Sequence, residues 1–314
     1  MKDRETAFSF QPSEWVPFRD SDALEHVRAI RRTQIDKHPN PDFRIRVVPD
    51  SMVECIFVTD MFYRIWLARE EGRKVVLLLP NPNFGYFKLA HMINTLGVRC
   101  DHVYTFNLDE YADQAGNIAP ESYPQGFLHS TKKYLYQSIS PELRPPEHQV
   151  VGFTNENLAD YGKMITDLGG ADACYTGPGW SGHLAFIEPD APEFEADLQE
   201  WKQMGPRIVT LGPLTIAQNS LHGSFGACGD IASVPPKAAT IGPAQVIEAR
   251  YRMDFHALNT AGSIVSWQRF MTRLVLHGPV TPKVPTSILQ EIGADVYVSE
   301  TAAADIEPIW DLAY

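Results

Sequence analysis

The sequence predicts an α/β chain with a doubly wound, mostly parallel sheet and helices on both faces, and three observations carry that prediction. From Phe43 onward, short apolar runs of strand length alternate with longer helical stretches, the pattern of strand–crossover–strand units. One run, KVVLLLP at 74–80, is apolar without interruption, as expected of a strand covered on both faces. The residues with unusual chemistry fall just after strand-like runs, which is where open α/β sheets bind ligands.

The elements follow in order. Residues 1–42 read as an N-terminal extension, in which ALEHVRAIRRTQIDK (23–37) forms one helix with Leu24, Val27, Ile30 and Ile35 on a stripe. HPNPDF (38–43) marks a boundary, and residues 43–314 read as a single domain. FRIRVVP is a strand, and Asp50 or Ser51 caps a helix that runs to about Glu71 and ends at Gly72. After the strand at 74–80, the turn NPNFG leads into a helix from about Tyr86 to Thr95, stopped by Gly97. A strand at 102–108, a loop and helix around 120–138, a strand at 149–154, a helix at 157–168 and a strand at 171–177 come next. Runs near 207–211, 238–242, 253–258 and 295–298 read as later strands of the mostly parallel sheet.

Composition excludes several classes of function. Hydrophobic residues at 44% and charged residues at 21% are ordinary globular usage for a chain of 314 residues. A net charge of −12 with no basic cluster argues against a general nucleic-acid binder. No run approaches the roughly 20 apolar residues that span a bilayer, and the opening MKDRETAFSF has no apolar core of a secretory signal. The expected location is therefore cytoplasmic, with no membrane partner. Cys55, Cys100, Cys174 and Cys228 lack paired spacing, so they read as buried thiols and no metal site is expected.

Two segments carry candidate chemistry. Asp109 and Glu110 follow an apolar strand, where a partly buried carboxylate has a raised pKa and serves as a general base. The plainer alternative is a helix cap or loop acid. In GPGWSGHLAFIEP (177–189), Gly177, Gly179 and Gly182 permit close approach of a ligand to the backbone, while His183 and Glu188 form a pair able to shuttle a proton. A structural histidine in a tight turn is the alternative for His183. Asn81, Asn83 and Gly85 stand in the turn after the second strand, Lys88 in the first turn of the next helix, and Trp180 inside the glycine-rich loop. These are candidates for substrate binding, against the alternatives of packing for Trp180 and a solvated surface position for Lys88.

Together the segments resemble the glucosamine-6-phosphate deaminase/isomerase family. TFNLDEY (105–111) is similar to the family's strand end, and APESY (119–123) resembles its HPESY. GPGWSGHLAFIEP resembles G-x-G-x-D-G-H-I-A-F-N-E-P, and VPPKAATIG (234–242) resembles VPKYALTVG. The sister 6-phosphogluconolactonases typically read GHTASLFP where this chain has GHLAFIEP. The resemblance implies a Rossmann-like sheet. It implies that Asp109 moves a proton from C2 to C1 of an open-chain sugar, giving aldose–ketose isomerisation. It also implies that His183 assists ring opening with Glu188 tuning it, that no metal or organic cofactor takes part, and that the chain forms a homo-oligomer.

The departures are equally specific. Ser181 stands where the family has Asp, and a hydroxyl carries no charge to stabilise an imidazolium. Pro80-Asn81-Pro82-Asn83-Phe84-Gly85 replaces the phosphate-cradling P-T/S-G-G-T-P, and Pro82 has no N–H to donate. Leu221 falls where the family has a phosphate-binding Arg, and Gly262 or Ser263 near its Lys. The expected substrate is a non-phosphorylated sugar, amino sugar or sugar acid. A sugar sensor without turnover and a sugar lactonase are the alternatives.

Overall fold

Hydrophobic patterning over Val75–Leu79 determines the architecture. In a strand successive side chains point to opposite faces, and here both sets are buried. Val75, Leu77 and Leu79 face one apolar cluster and Val76 and Leu78 another. The structure, a computed structural model, describes residues 10–80, 85–257 and 266–309.

Among the described residues the strands are β1 (Phe43–Val48), β2 (Val75–Leu79), β3 (Val103–Asn107), β4 (Asp109–Ala112), β5 (Val150–Val151), β6 (Ala173–Thr176), β7 (Arg207–Thr210), β8 (Lys237–Thr240), β9 (Arg252–His256) and β10 (Ala294–Ser299). Seven form one sheet in the order β1-β10-β9-β6-β2-β3-β5, with every neighbouring pair parallel. The helices are α1 (Ser21–Ala29), α2 (Asp50–Glu70), α3 (Gly85–Leu96), α4 (Phe127–Thr131), α5 (Tyr161–Asp167), α6 (Leu198–Trp201), α7 (Pro213–Asn219), α8 (Pro243–Glu248), α9 (Gln268–His277), α10 (Leu289–Ile292) and α11 (Glu300–Ala303). Phe57, Met61 and Ile65 of α2 and Leu89 and Ile93 of α3 cover the Leu77 face. Val27 of α1, Ile165 of α5 and Leu274 of α9 cover the Leu78 face. This is the doubly wound α/β fold with helices on both faces. Val27 and Ile35, from the N-terminal stretch, are fully buried in the second of these cores.

From β2 the chain steps outward to β3 and β5, then returns to place β6 on the other side of β2 and β9 beyond it. The gap between the carboxyl ends of β2 and β6 is therefore the topological switch point, where doubly wound sheets open a crevice.

Several sequence expectations need correction, the first being the helix expected over 23–37, which ends at Ala29 and gives way to turns over 32–36. β7 and β8 leave the parallel sheet and pair antiparallel with β4 in a second sheet of order β4-β8-β7. β4 was not assigned from the sequence, since DEYA has no alternating pattern. The helix expected around 120–138 begins only at Phe127, because Pro120 and Pro124 hold the preceding residues in turns. Finally, Cys55 and Cys228 are exposed; only Cys100 and Cys174 are buried, and all four are free.

Because Leu77 is 1% exposed and touches neighbours on a face sealed by two helices, its truncation leaves an unfilled cavity. Leu77→Ala is expected to lower unfolding free energy by about 2–5 kcal/mol in a urea titration; a loss under about 1 kcal/mol contradicts the packing described.

Candidate active site

β3 ends at Asn107, Leu108 donates its N–H to the Leu79 carbonyl (3.0 Å), and Asp109 then opens β4 opposite Thr240. The chain thus crosses from the parallel to the antiparallel sheet at Asp109, which places this carboxylate beyond the strand ends with only 6% exposure. Burial pushes its pKa well above the carboxylate range, and the neighbouring Glu110 adds to the rise. Glu110 points elsewhere. Its Oε1 accepts the N–H groups of Tyr111 and Phe127 (both 2.9 Å), and its Oε2 accepts that of Leu128 (2.7 Å). These donors include the first two residues of α4, so Glu110 satisfies groups that a helix start leaves unpaired. Burial still outweighs these bonds and raises its pKa to about 7. Of the two adjacent acids, Asp109 lines the cavity and Glu110 caps a helix.

Thr286 fastens the glycine-rich loop after β6, its hydroxyl donating to the carbonyls of Gly182 (3.0 Å) and His183 (2.8 Å). Gln268 Nε2 donates to the Pro178 carbonyl (2.7 Å), and Gln218 Oε1 accepts the Trp180 N–H (2.7 Å). Gly182 has φ +79°, and a side chain there would press on Met271. At Gly179 the constraint is space: a Cβ would stand 2.0 Å from Nε2 of His183. The imidazole occupies the room that glycine leaves. Its Nδ1 meets the hydroxyls of Ser181 (3.0 Å) and Thr215 (2.8 Å) and lies 3.5 Å from Oε1 of Glu188. No described residue hydrogen-bonds Nε2, which leaves that nitrogen for a ligand.

Asp109, His183 and Gly177 line one cavity of about 380 Å³ at the switch point. Three further parts of its wall escaped the sequence reading. Asp50 and Glu54 enter from the first turns of α2; the Asp50 carboxylate accepts the Thr301 N–H (3.1 Å) and does not cap its own helix. Gln218, Asn219 and His222 enter from the end of α7 and the turn after it, where Tyr111 donates to Asn219 Oδ1 (3.1 Å). Burial, aided by His183, lowers the His222 pKa to about 4, so this imidazole is neutral at physiological pH. Thr176 also lines the cavity and donates to Asp254 (2.7 Å), which is paired in turn with His256 (2.9 Å).

The remaining predicted residues take other places. Glu188 and Ser181 stand behind His183, away from the cavity. Trp180 packs edge-on against Trp267 and is absent from the cavity wall. Gly85 begins α3, and Lys88 forms an ion pair with Glu54, so its charge is already matched. Asn81 and Asn83 lie outside the described residues, as do Gly262 and Ser263.

A buried carboxyl of raised pKa and an imidazole held at one nitrogen and free at the other face a partly open, mostly apolar cavity, an arrangement suited to acid–base chemistry on a small molecule. No family model matches the chain. It is 30% identical over 229 residues to a glucosamine-6-phosphate deaminase of Lachnoclostridium phytofermentans, a match covering 68% of this chain and 85% of that protein. Glucosamine-6-phosphate deaminase 2 of Giardia intestinalis is 28% identical, over 70% of this chain and 76% of its own. Among solved structures, a monomeric glucosamine-6-phosphate deaminase superposes with TM-score 0.65 at 20% identity, covering 82% of this chain and 98% of the other. The 6-phosphogluconolactonase of Leishmania guyanensis shares the fold at TM-score 0.58 and 13% identity, covering 84% of this chain and 98% of that one. The chain belongs to the glucosamine-6-phosphate deaminase/isomerase family and is an enzyme of that sugar isomerase/deaminase type. No helix among the described residues is long and apolar enough to cross a membrane.

The Glu110 carboxyl makes a pH prediction. Its folded pKa of about 7 exceeds its ordinary 4.5, so the folded state binds this proton more tightly. The stabilisation is complete below about 4.5 and lost as pH rises through about 7, on the order of 3 kcal/mol in all. Urea midpoints measured from pH 4.5 to 8 should fall across that window, and more gently in Glu110→Gln. Equal slopes for the two proteins contradict the assignment.

Proposed function

We propose that this enzyme catalyses aldose–ketose isomerisation, with or without amine departure, on an unphosphorylated sugar, and on an amino sugar in particular. One observation carries the substrate assignment: among the described residues no lysine or arginine lines the cavity, whereas Asp50 and Asp109 do, and the third acid of the wall, Glu54, is matched by Lys88. The segments 81–84 (NPNF) and 258–265 (LNTAGSIV) contain no basic residue either. Lys88 is held by Glu54, His222 is neutral, and Leu221 has no charge to offer. A phosphate dianion favours fixed positive charge and several donors. Unit charges of like sign about 6 Å apart repel by about 3 kcal/mol at an effective dielectric constant of about 20. The same acidic wall attracts a protonated amine.

The proton steps follow from the two faces of the site. Asp109, as carboxylate, takes the proton from C2 of the open-chain sugar; the electron pair passes to the carbonyl oxygen, giving an enediolate or its 2-amino counterpart, and that oxygen takes up the proton of the C2 hydroxyl or ammonium group. The acid then returns its proton to C1. Its buried position makes the ionised form a stronger base than a solvated carboxylate. His183 works through Nε2 on the ring oxygen and anomeric hydroxyl, while the groups at Nδ1 fix the ring's orientation.

Proton NMR in D2O tests this reading on a panel of sugars and amino sugars. Exchange at C2 is expected for an unphosphorylated member, with kcat/KM rising with pH around a midpoint above the ordinary carboxylate range. Asp109→Asn should lower exchange by about 10²–10⁴-fold with the fold retained. Full activity in that variant would remove Asp109 from the mechanism. Silence across the panel, with one sugar still raising the melting temperature, would replace the enzyme reading with the sensor.

A further inference from the structure

Behind His183 lies a second cavity, of about 210 Å³, which shares no lining residue with the first. Ser181 and Glu188 form its inner wall, Ala191 and Gly212 stand at its side, and Trp15 and Pro17 close it from the N-terminal stretch. The His183 side chain borders the substrate cavity, and two of the three groups at its Nδ1 border the other. Glu188 is 3% exposed, and its Oε1 accepts no hydrogen bond; Nδ1 of His183 lies 3.5 Å away. A buried carboxylate oxygen without a donor is costly. Gly212 leaves room beside the same carboxylate, since a Cβ there would stand 3.3 Å from Oε2. The unpartnered acid, the relay hydroxyl and the space beyond them point to one use.

We propose that the second cavity is a proton port, through which His183 exchanges the proton on Nδ1 with water while a sugar fills the substrate cavity. The inference rests on His183 acting as the acid–base group of the reaction proposed above. When Nε2 takes a proton from a sugar hydroxyl, the ring becomes an imidazolium. Nδ1 then passes its proton to the Glu188 carboxylate, giving a neutral imidazole that retains Nε2–H and a carboxylic acid. The acid releases that proton to water in the second cavity and is a carboxylate again. Ser181 offers a parallel route: its oxygen takes the Nδ1 proton as its own hydroxyl proton leaves to that water. A hydroxyl both donates and accepts, which an ionised carboxylate at position 181 does not. The volume accommodates several waters, with polar partners at Ser181, Glu188, Asp190 and Thr210 and apolar residues between them.

The test needs no substrate. In the full chain with ¹⁵N-labelled histidine, exchange of the two His183 imidazolium N–H protons with water is measured separately by NMR. Ala191→Leu, which fills the second cavity, should slow exchange at Nδ1 by about tenfold, and Trp15→Ala, which opens it, should speed it by a similar factor. Exchange at Nε2 should stay unchanged in both. Trp15 is 58% exposed, so its variant remains informative where the tighter Ala191 position does not tolerate leucine. Unchanged Nδ1 exchange, or equal changes at both nitrogens, overturns the port. On any sugar that turns over, Ala191→Leu should lower kcat and leave KM in place; a change in KM alone also overturns it. A panel of sugars without turnover overturns the isomerase reading instead, and the exchange data still decide the port.

Discussion

Two adjacent acids are buried at the junction of the two sheets, and the rest of the site depends on how their repulsion is managed. Glu110 is absorbed by the N-terminus of α4, whose first N–H groups need an acceptor, and by the amide of Tyr111. That arrangement holds the start of β4 in place and leaves Asp109, of the two neighbours, facing the cavity. Asp109 has little exposure and a carboxylate beside it, so its proton is held more tightly than usual. The fold thereby raises the pKa of a residue that is ordinarily ionised.

The opposite wall is built by a different constraint. His183 fits only because residue 179 has no side chain, and its ring is oriented by hydroxyls and a carboxylate on one nitrogen only. Thr240 of β8 ties the two walls together, since its hydroxyl accepts the Phe186 N–H (3.1 Å) while its backbone pairs with Asp109. The small antiparallel sheet thus fixes the distance between base and imidazole. The start of α2 then adds Asp50 and Glu54 to the space they share, with Glu54 paired to Lys88.

The parallel sheet was legible because its strands are short, apolar-rich runs, continuous in β2 and alternating in β1, and its helices have clear stops, as with Gly72 and Gly97. Asp109 and His183 were legible too, since both lie at strand exits and within motifs with a strong family resemblance. β4 was hidden because its four residues carry two charges and no alternation; only pairing with β8, more than 120 positions away, makes them a strand. Asp50, Glu54 and His222 were hidden for the same reason at the level of the site. Each sits on an element with its own local logic, and only the packing of α2 and α7 around the switch point brings them to one wall. The Glu110 cap depends on a partner 17 positions along the chain, and nothing local distinguishes it from Asp109 as the base.

The central claim is that the proton-transfer pair persists in a cavity that rejects phosphate. The most direct measurement is kcat/KM for one amino sugar and for its 6-phosphate under identical conditions. The account predicts a preference for the unphosphorylated sugar of about 100-fold, the equivalent of about 3 kcal/mol in transition-state stabilisation. Equal values, or a preference for the phosphate, would contradict it.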